Sequence, residues 1–165
     1  MNAFEVTGGK RLKGEINPQG AKNEALQVIS AVLLTKGKIT ISNIPDILDV
    51  NLLIEVLEEM GVKTQRISRH ECSFQADDVN VDYLNSATYR NKSGKLRGSI
   101  MLAGPLLTRF KKAFVPKPGG DKIGRRRLDT HIIGFEKLGA RFSYDAGDDY
   151  FRLEAPELKG TYLLL

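Results

Sequence analysis

The stretch Leu57-Glu58-Glu59-Met60-Gly61-Val62-Lys63 returns later in the chain as Phe135-Glu136-Lys137-Leu138-Gly139-Ala140-Arg141. In both copies an apolar-periodic segment runs into a glycine and then into an alternating one. A glycine just past the last periodic residue is a common helix stop, because it takes left-handed backbone angles at little cost. The alternation after it reads as a strand. Each copy is therefore a helix–glycine–strand joint, and the two glycines are 78 positions apart.

The surroundings of the two joints match as well. Before the first, residues 21–34 carry Ala25, Leu26, Ile29, Val32 and Leu33 on one helical face, and Lys36-Gly37 ends that helix. Residues 38–42 alternate as a strand, closed by Asn43-Ile44-Pro45. Asp49 reads as the cap of a helix whose apolar face is Leu52, Leu53, Val56, Leu57 and Met60. After the joint, 62–67 and 72–76 read as a hairpin, and 77–89 as irregular or briefly helical. The second copy offers a buried helix over 98–107, a strand over 112–115, a helix over 130–138, and strands over 140–144 and 150–154. Leu33-Leu34-Thr35 and Leu106-Leu107-Thr108 end corresponding helices. Leu12-Lys13-Gly14, Leu96-Arg97-Gly98 and Leu158-Lys159-Gly160 read as the openings of successive units. The order predicts an α/β (α+β) chain of two whole units and the start of a third. No such unit buries its apolar faces alone, so the units share a core. Ahead of them, 4–6 and 15–16 read as short strands around Gly8-Gly9-Lys10, and Asn17-Pro18-Gln19-Gly20 as a turn. Thr161-Tyr162-Leu163-Leu164-Leu165 is an apolar strand pattern without a polar tail, which reads as a piece of a longer protein.

Composition sets outer limits. The chain has 165 residues, 41% hydrophobic and 27% charged, enough for one sizeable core. A net charge of +5 suits anionic ligands, but it is spread too thinly, with too few interleaved aromatics, for nucleic acid. Cys72 is the single cysteine, so no internal disulfide forms, which favours a reducing, cytoplasmic setting. No apolar run approaches a membrane span. His70 and Cys72 lie two apart without further metal-type ligands nearby in sequence, so no metal site is expected; no cofactor fingerprint is present either.

Chemistry concentrates in Pro116-Lys117-Pro118-Gly119-Gly120-Asp121-Lys122-Ile123-Gly124-Arg125-Arg126-Arg127. One acid, Asp121, stands among five cations: Lys117, Lys122, Arg125, Arg126 and Arg127. That pattern is either a solvated basic loop or a hinged loop that closes on an anion. A second candidate is Gly20-Ala21-Lys22-Asn23, at a helix start where free backbone N–H groups and the dipole favour an anion. Taken alone, a Gly-x-Lys at a helix start is more often surface than site. Arg97 opens a buried helix, where it is either a solvated arginine or a clamp for phosphate or carboxylate. Asp129 reads as a helix cap, and His131 on the same helix is assigned no chemistry.

Gly20-Ala21-Lys22-Asn23, Leu96-Arg97-Gly98-Ser99-Ile100, Leu102-Ala103-Gly104-Pro105-Leu106 and Pro118-Gly119-Gly120-Asp121-Lys122-Ile123-Gly124-Arg125-Arg126 together resemble the UDP-N-acetylglucosamine enolpyruvyl transferases. The pair Asp129 and His131 and the helix end at Gly134–Gly139 agree with that, and the likeness runs from Phe4 to the last residue. The related shikimate-pathway transferases are the nearest rivals, but a serine would be expected there at Asn23. The resemblance implies two similar domains of βαβαββ repeats packed as an inside-out α/β barrel, with the active site between them. It implies that residues 1–20 belong to the second domain and that 21–165 form a first domain truncated at its C-terminal end.

The reaction implied moves the enolpyruvyl group of phosphoenolpyruvate to the 3′-hydroxyl of UDP-N-acetylglucosamine and releases phosphate, the first committed step of peptidoglycan synthesis. A non-catalytic nucleotide-sugar-binding paralogue or regulatory fragment is the alternative. By resemblance, Lys22 contacts phosphoenolpyruvate and Asn23 the sugar, Arg97 and Arg126 hold anionic groups, and Arg126, Arg127, Leu128, Asp129 and Thr130 cradle the uridine. Asp121 stands at the general acid, where most relatives carry cysteine; Arg127 stands where proline is common. The antibiotic fosfomycin alkylates that cysteine, so an aspartate there implies insensitivity. The partners implied are these two small molecules and the missing C-terminal domain, with neither nucleic acid nor membrane.

Overall fold

The computed structural model describes residues 3–116, 127–145, 147 and 150–164. Two units with the same order occupy most of them. In the first, helix α1 (Lys22–Ala31) passes into a 3-10 turn (Val32–Leu34), strand β1 (Lys38–Ile41), helix α2 (Leu48–Glu59), and strands β2 (Lys63–Ser68) and β3 (Glu71–Gln75). Helix α3 (Ala87–Lys95) follows a 3-10 turn (Val81–Asn85). The second unit is a 3-10 stretch (Arg97–Leu102), helix α4 (Ala103–Phe110), strand β4 (Lys112–Pro116), helix α5 (Asp129–Lys137), and strands β5 (Arg141–Asp145) and β6 (Tyr150–Glu154).

Each unit builds a three-stranded antiparallel sheet with its last strand in the middle: β1-β3-β2 in one and β4-β6-β5 in the other. Lys38 and Lys63 both face Gln75 in the first sheet, as Lys112 and Arg141 both face Glu154 in the second. The joints match bond for bond. Gly61 and Gly139 have φ of +94° and +99°. The Val62 amide donates to Leu57 O at 3.0 Å and the Ala140 amide to Phe135 O at 2.9 Å. The glycine amides donate to Glu58 O and Glu136 O, so both helices end in the Schellman arrangement that only a residue with positive φ allows. In both units the segment after the third strand returns to the joint: the amides of Asn80 and Lys159 each donate over 2.8 Å to the helix-end carbonyls of Met60 and Leu138.

This pairing corrects one landmark. Lys159 stands where Asn80 stands, so Leu158-Lys159-Gly160 is not the equivalent of Leu96-Arg97-Gly98, which instead starts the 3-10 stretch. The buried helix expected over 98–107 is split for a related local reason. Pro105 sits in the first turn of α4, where its missing N–H costs nothing. Continued upstream as an α-helix, its ring would meet the carbonyl of Met101, so the chain tightens to 3-10 instead. Asp49 is not the cap of α2: Ile47 holds that position and Asp49 lies inside the first turn. The strands expected at 4–6 and 15–16 are absent; the described residues up to Ala21 form no helix or strand. Phe4, Val6, Leu12 and Ile16 stay exposed there, and a strand without a partner leaves its ladder groups unpaired. Residues 161–164 likewise form no strand.

One apolar core unites the units. It draws Ile29 from α1 and Leu33 from the 3-10 turn after it, Leu53 and Leu57 from α2, Phe74 from β3, Leu106 and Leu107 from α4, and Val115 from β4. Polar ties cross between the units. Tyr89 on α3 is buried and donates its hydroxyl to Phe114 O at 2.7 Å on β4. Burial raises the Tyr89 hydroxyl well above the ordinary tyrosine range. Arg109 on α4 donates to Leu33 O at 2.9 Å and Thr35 O at 3.1 Å, satisfying carbonyls at the end of the first helical segment. At Gly20 an added Cβ would fall 1.9 Å from Asn43 O, so only glycine lets the chain reach α1 past the turn after β1.

Candidate functional site

The starts of four helical segments converge on one cleft of about 320 Å³. Lys22 and Asn23 are the first two residues of α1, Asp49 the second of α2, and Arg97 the first of the 3-10 stretch. Leu128 and His131 come from the start of α5. Leu26, Gln27, Gly98, Ile100 and Met101 complete the wall. The first amides of an α-helix have no partner within it, and three α-helix starts contribute residues to the wall of this one cleft. Lys22 and Arg97 add full charges. An anion is the ligand this arrangement favours.

The wall has sequence reasons. Ala25 and Leu26 are buried while Lys22 and Asn23 face solvent, as a helix with one apolar stripe requires. Gly98 lets the 3-10 stretch lie against α1: a Cβ there would stand 2.8 Å from Leu26 Cδ1. Within the cleft the Lys22 ammonium donates to Asp49 Oδ2 over 2.8 Å. Arg97 is half-buried beside them.

Of the residues singled out from sequence, Lys22, Asn23, Arg97 and Leu128 meet in this cleft. Thr130 lies just outside it, in a shallower hollow with His131, Gly134, Phe135 and Leu138. Asp129 is not the helix cap expected: Leu128 occupies that position, Asp129 is the first helical residue, and its carboxylate accepts from the exposed Arg127. A neighbouring cation outcompetes the backbone amides for that carboxylate. Asp121 and Arg126, with Lys117, Lys122 and Arg125, lie outside the described residues. Gln27, Asp49 and His131 are cleft residues that the sequence reading did not place. Spacing gives a signal for Gln27, one turn beyond Asn23 on α1; for Asp49 the sequence offers only the reading as a helix cap. Among the described residues no group of three His, Cys, Asp or Glu is placed to hold a metal, and no helix is long and apolar enough to cross a membrane.

The family model for EPSP synthase (3-phosphoshikimate 1-carboxyvinyltransferase) matches residues 6–163. The chain belongs to the EPSP synthase family. Within this family it is 56% identical over all 165 residues to a UDP-N-acetylglucosamine 1-carboxyvinyltransferase of Porphyromonas gingivalis, of which it covers 38%. A protein of the same name from Bradyrhizobium diazoefficiens is 39% identical over 162 residues, 36% of its length. The chain thus spans a little over a third of the length of these two relatives. Among solved structures it resembles the enolpyruvyl transferase NikO from Streptomyces tendae, with a TM-score of 0.72 at 21% identity over 92% of this chain and 32% of that one. An EPSP synthase from Acinetobacter baumannii gives 0.63 at 16% identity, over 93% of this chain and 35% of its own. At such identities the likeness is one of fold, and the fold expected from the resemblance is the one found.

Proposed function

We propose that this chain is part of an enzyme that transfers the enolpyruvyl group of phosphoenolpyruvate to the 3′-hydroxyl of UDP-N-acetylglucosamine, releasing phosphate, in cytoplasmic peptidoglycan synthesis. The observation that carries the reading is the meeting of Lys22, Asn23 and Arg97 at converging helix starts in one cleft. The 56% identical relative bearing that activity's name supports the choice within the EPSP synthase family.

In this reading Lys22 and Arg97 neutralise substrate anions and Asn23 donates to the sugar. Arg126, Arg127, Leu128, Asp129 and Thr130 hold the uridine. Asp121 is the general acid that protonates the methylene carbon of the enolpyruvyl group. A carboxylic acid performs that step only if it is partly protonated near neutrality. The cations flanking Asp121 in sequence oppose this by favouring the carboxylate. Substrate phosphates drawn to those cations offset them, so the proton is retained in the complex. Residues 1–20 belong to a second domain and 21–165 to the first, and the rest of the second domain completes the site.

The test is phosphate release by the full-length protein supplied with both substrates. Turnover is expected, with Asp121→Asn inactive because an amide delivers no proton. The unmutated enzyme should resist fosfomycin, a carboxylate being a far weaker nucleophile towards an epoxide than a thiolate, and Asp121→Cys should become sensitive. Binding of the nucleotide sugar without turnover would return the non-catalytic alternative. Full activity in Asp121→Asn would move the general acid elsewhere.

A further inference from the structure

The wall of the cleft has two tiers. Lys22, Asn23, Asp49, Arg97 and Gly98 stand in the first turns of their segments, and three of them are charged. Leu26 and Gln27 lie one turn further along α1, and Ile100 and Met101 one turn further along the 3-10 stretch, about 6 Å on in each case. Gly98 lets the two segments meet at Leu26, so these second-turn residues share one part of the wall. Of the four, Gln27 alone is polar. Its place on α1 is also particular. Residues four apart on a helix stand one above the other, so Gln27 continues the edge that Asn23 begins. Both are exposed, whereas Ala25, Leu26 and Ile29 hold the helix to the core. Packing of α1 therefore gives no reason for a glutamine at this point of the cleft.

A neutral amide beside apolar side chains is no match for a phosphate or a carboxylate. It suits a neutral group with a hydrogen-bonding atom next to a methyl, because apolar walls supply contact and one polar group fixes orientation. We propose that Gln27 is a specificity-determining residue that recognises the acetamido group of the sugar; this rests on the reading of the cleft as the site of enolpyruvyl transfer to UDP-N-acetylglucosamine. The Gln27 carboxamide donates an N–H to the acetamido carbonyl oxygen. The acetyl methyl lies against Ile100 and Met101, the second of which is only half-buried and so leaves apolar surface to cover. The chemistry of the sugar fits this spacing. Its acetamido group is on the carbon next to the one that bears the reacting 3′-hydroxyl. A sugar held by Asn23, with that hydroxyl towards the charged tier, presents its acetamido group to the uncharged one. A charged side chain at position 27 would be desolvated by a group that cannot neutralise it, whereas an amide donates at a smaller cost.

The experiment is calorimetric titration of the full-length protein with UDP-N-acetylglucosamine and with UDP-glucose, which carries a hydroxyl in place of the acetamido group. The readout is the ratio of the two affinities. Gln27→Ala puts the best helix former at an exposed position, so the fold is retained. It should lower the preference for the N-acetylated sugar by about 3- to 10-fold, the scale of one net hydrogen bond. Gln27→Glu has the same length but no N–H donor, and its ratio should fall likewise. An unchanged ratio in either variant overturns the proposal. So does an equal loss for both nucleotide sugars, which would put Gln27 on the diphosphate or the uridine, or make it a structural residue of α1. Phosphate release by the same proteins separates this proposal from the reaction it rests on. A lowered ratio in a protein that turns over nothing upholds the role of Gln27 and rejects the assigned reaction. Turnover with an unchanged ratio keeps the reaction and rejects the role of Gln27. Failure of the unmutated protein to bind either nucleotide sugar overturns both.

Discussion

Helices α2 and α5 occupy the same place in their units, end in the same hydrogen bonds, and differ in what surrounds them. Helix α2 buries Val50, Leu53, Ile54, Val56 and Leu57 between its own sheet and the helices α1 and α3. Helix α5 buries no residue fully; Phe135 is half-buried and Ile133 is 47% exposed. The difference lies in the chain that follows each sheet. After β3 come α3 and the 3-10 stretch, which pack on α2. After β6 the described residues 155–164 make no helix. An amphipathic helix draws most of its stability from what covers its apolar face, so equal joints do not make equal helices. A further unit supplying the counterpart of α3 would cover α5, in keeping with relatives more than twice this length.

Matched truncations test this most strongly. The carbonyls of Leu57 and Phe135 accept the same bond in their joints. In this chain Leu57→Ala should cost about 3 kcal/mol, as expected for a fully buried leucine. Phe135→Ala should cost less, about 1–1.5 kcal/mol, because the ring packs against the edge of the core and is only partly buried. Denaturant midpoints of the two variants check this. In the full-length protein the Phe135→Ala cost should rise towards that of Leu57→Ala; if it does not, α5 stays uncovered and the comparison fails.

The glycines give a finer version. Alanine at either joint must take a positive φ, which costs roughly 1–2 kcal/mol. At Gly61 the new Cβ also stands 2.7 Å from Asp78 O, whereas at Gly139 the distance to Glu157 O is 3.3 Å. Gly61→Ala should therefore destabilise more than Gly139→Ala, by up to about 1 kcal/mol, the cost of pushing the returning backbone aside. Equal losses would mean that the return segment yields as easily in one unit as in the other.

The joints were legible because glycine after an apolar stripe is a local signal, and local signals suffice for a Schellman end. Helix α3 was not. Its sequence, Ala87-Thr88-Tyr89-Arg90-Asn91-Lys92-Ser93-Gly94-Lys95, has no apolar period, and only Tyr89 and Ser93 are buried. Packing between α2 and β4 holds it, which no local pattern reveals; the trace it left is Ser86, whose hydroxyl accepts from the Tyr89 amide as a helix cap. The cleft was half legible. Lys22 and Arg97 stand out as cations at helix starts, where the dipole makes them unfavourable without a ligand. Asp49 and His131 look ordinary in sequence and acquire meaning only when their helices bring them to the same wall.

The smallest effect expected separates the helices by charge. Lys92 on α3 donates to Glu55 at 3.1 Å and to Glu59 at 2.8 Å on α2, and Tyr83 also donates to Glu59. Among the described residues α5 has no corresponding ion pair to a following helix. The bond from Lys92, then that from Tyr83, hold the Glu59 carboxyl below its ordinary range, and the carboxylates raise the Lys92 ammonium above its own. A carboxyl depressed in the folded state stabilises above its unfolded value and loses that contribution as the pH falls through the folded one. Lys92→Met should therefore lower the unfolding midpoint slightly at pH 7, less than either glycine substitution, as exposed ion pairs generally do. Towards pH 3, as the Glu59 carboxyl takes up its proton, the difference between the two proteins should shrink. Urea titrations at both pH values read the difference directly. A loss that persists at pH 3 would show that the Lys92 stem, and not its charge, is what joins α3 to α2.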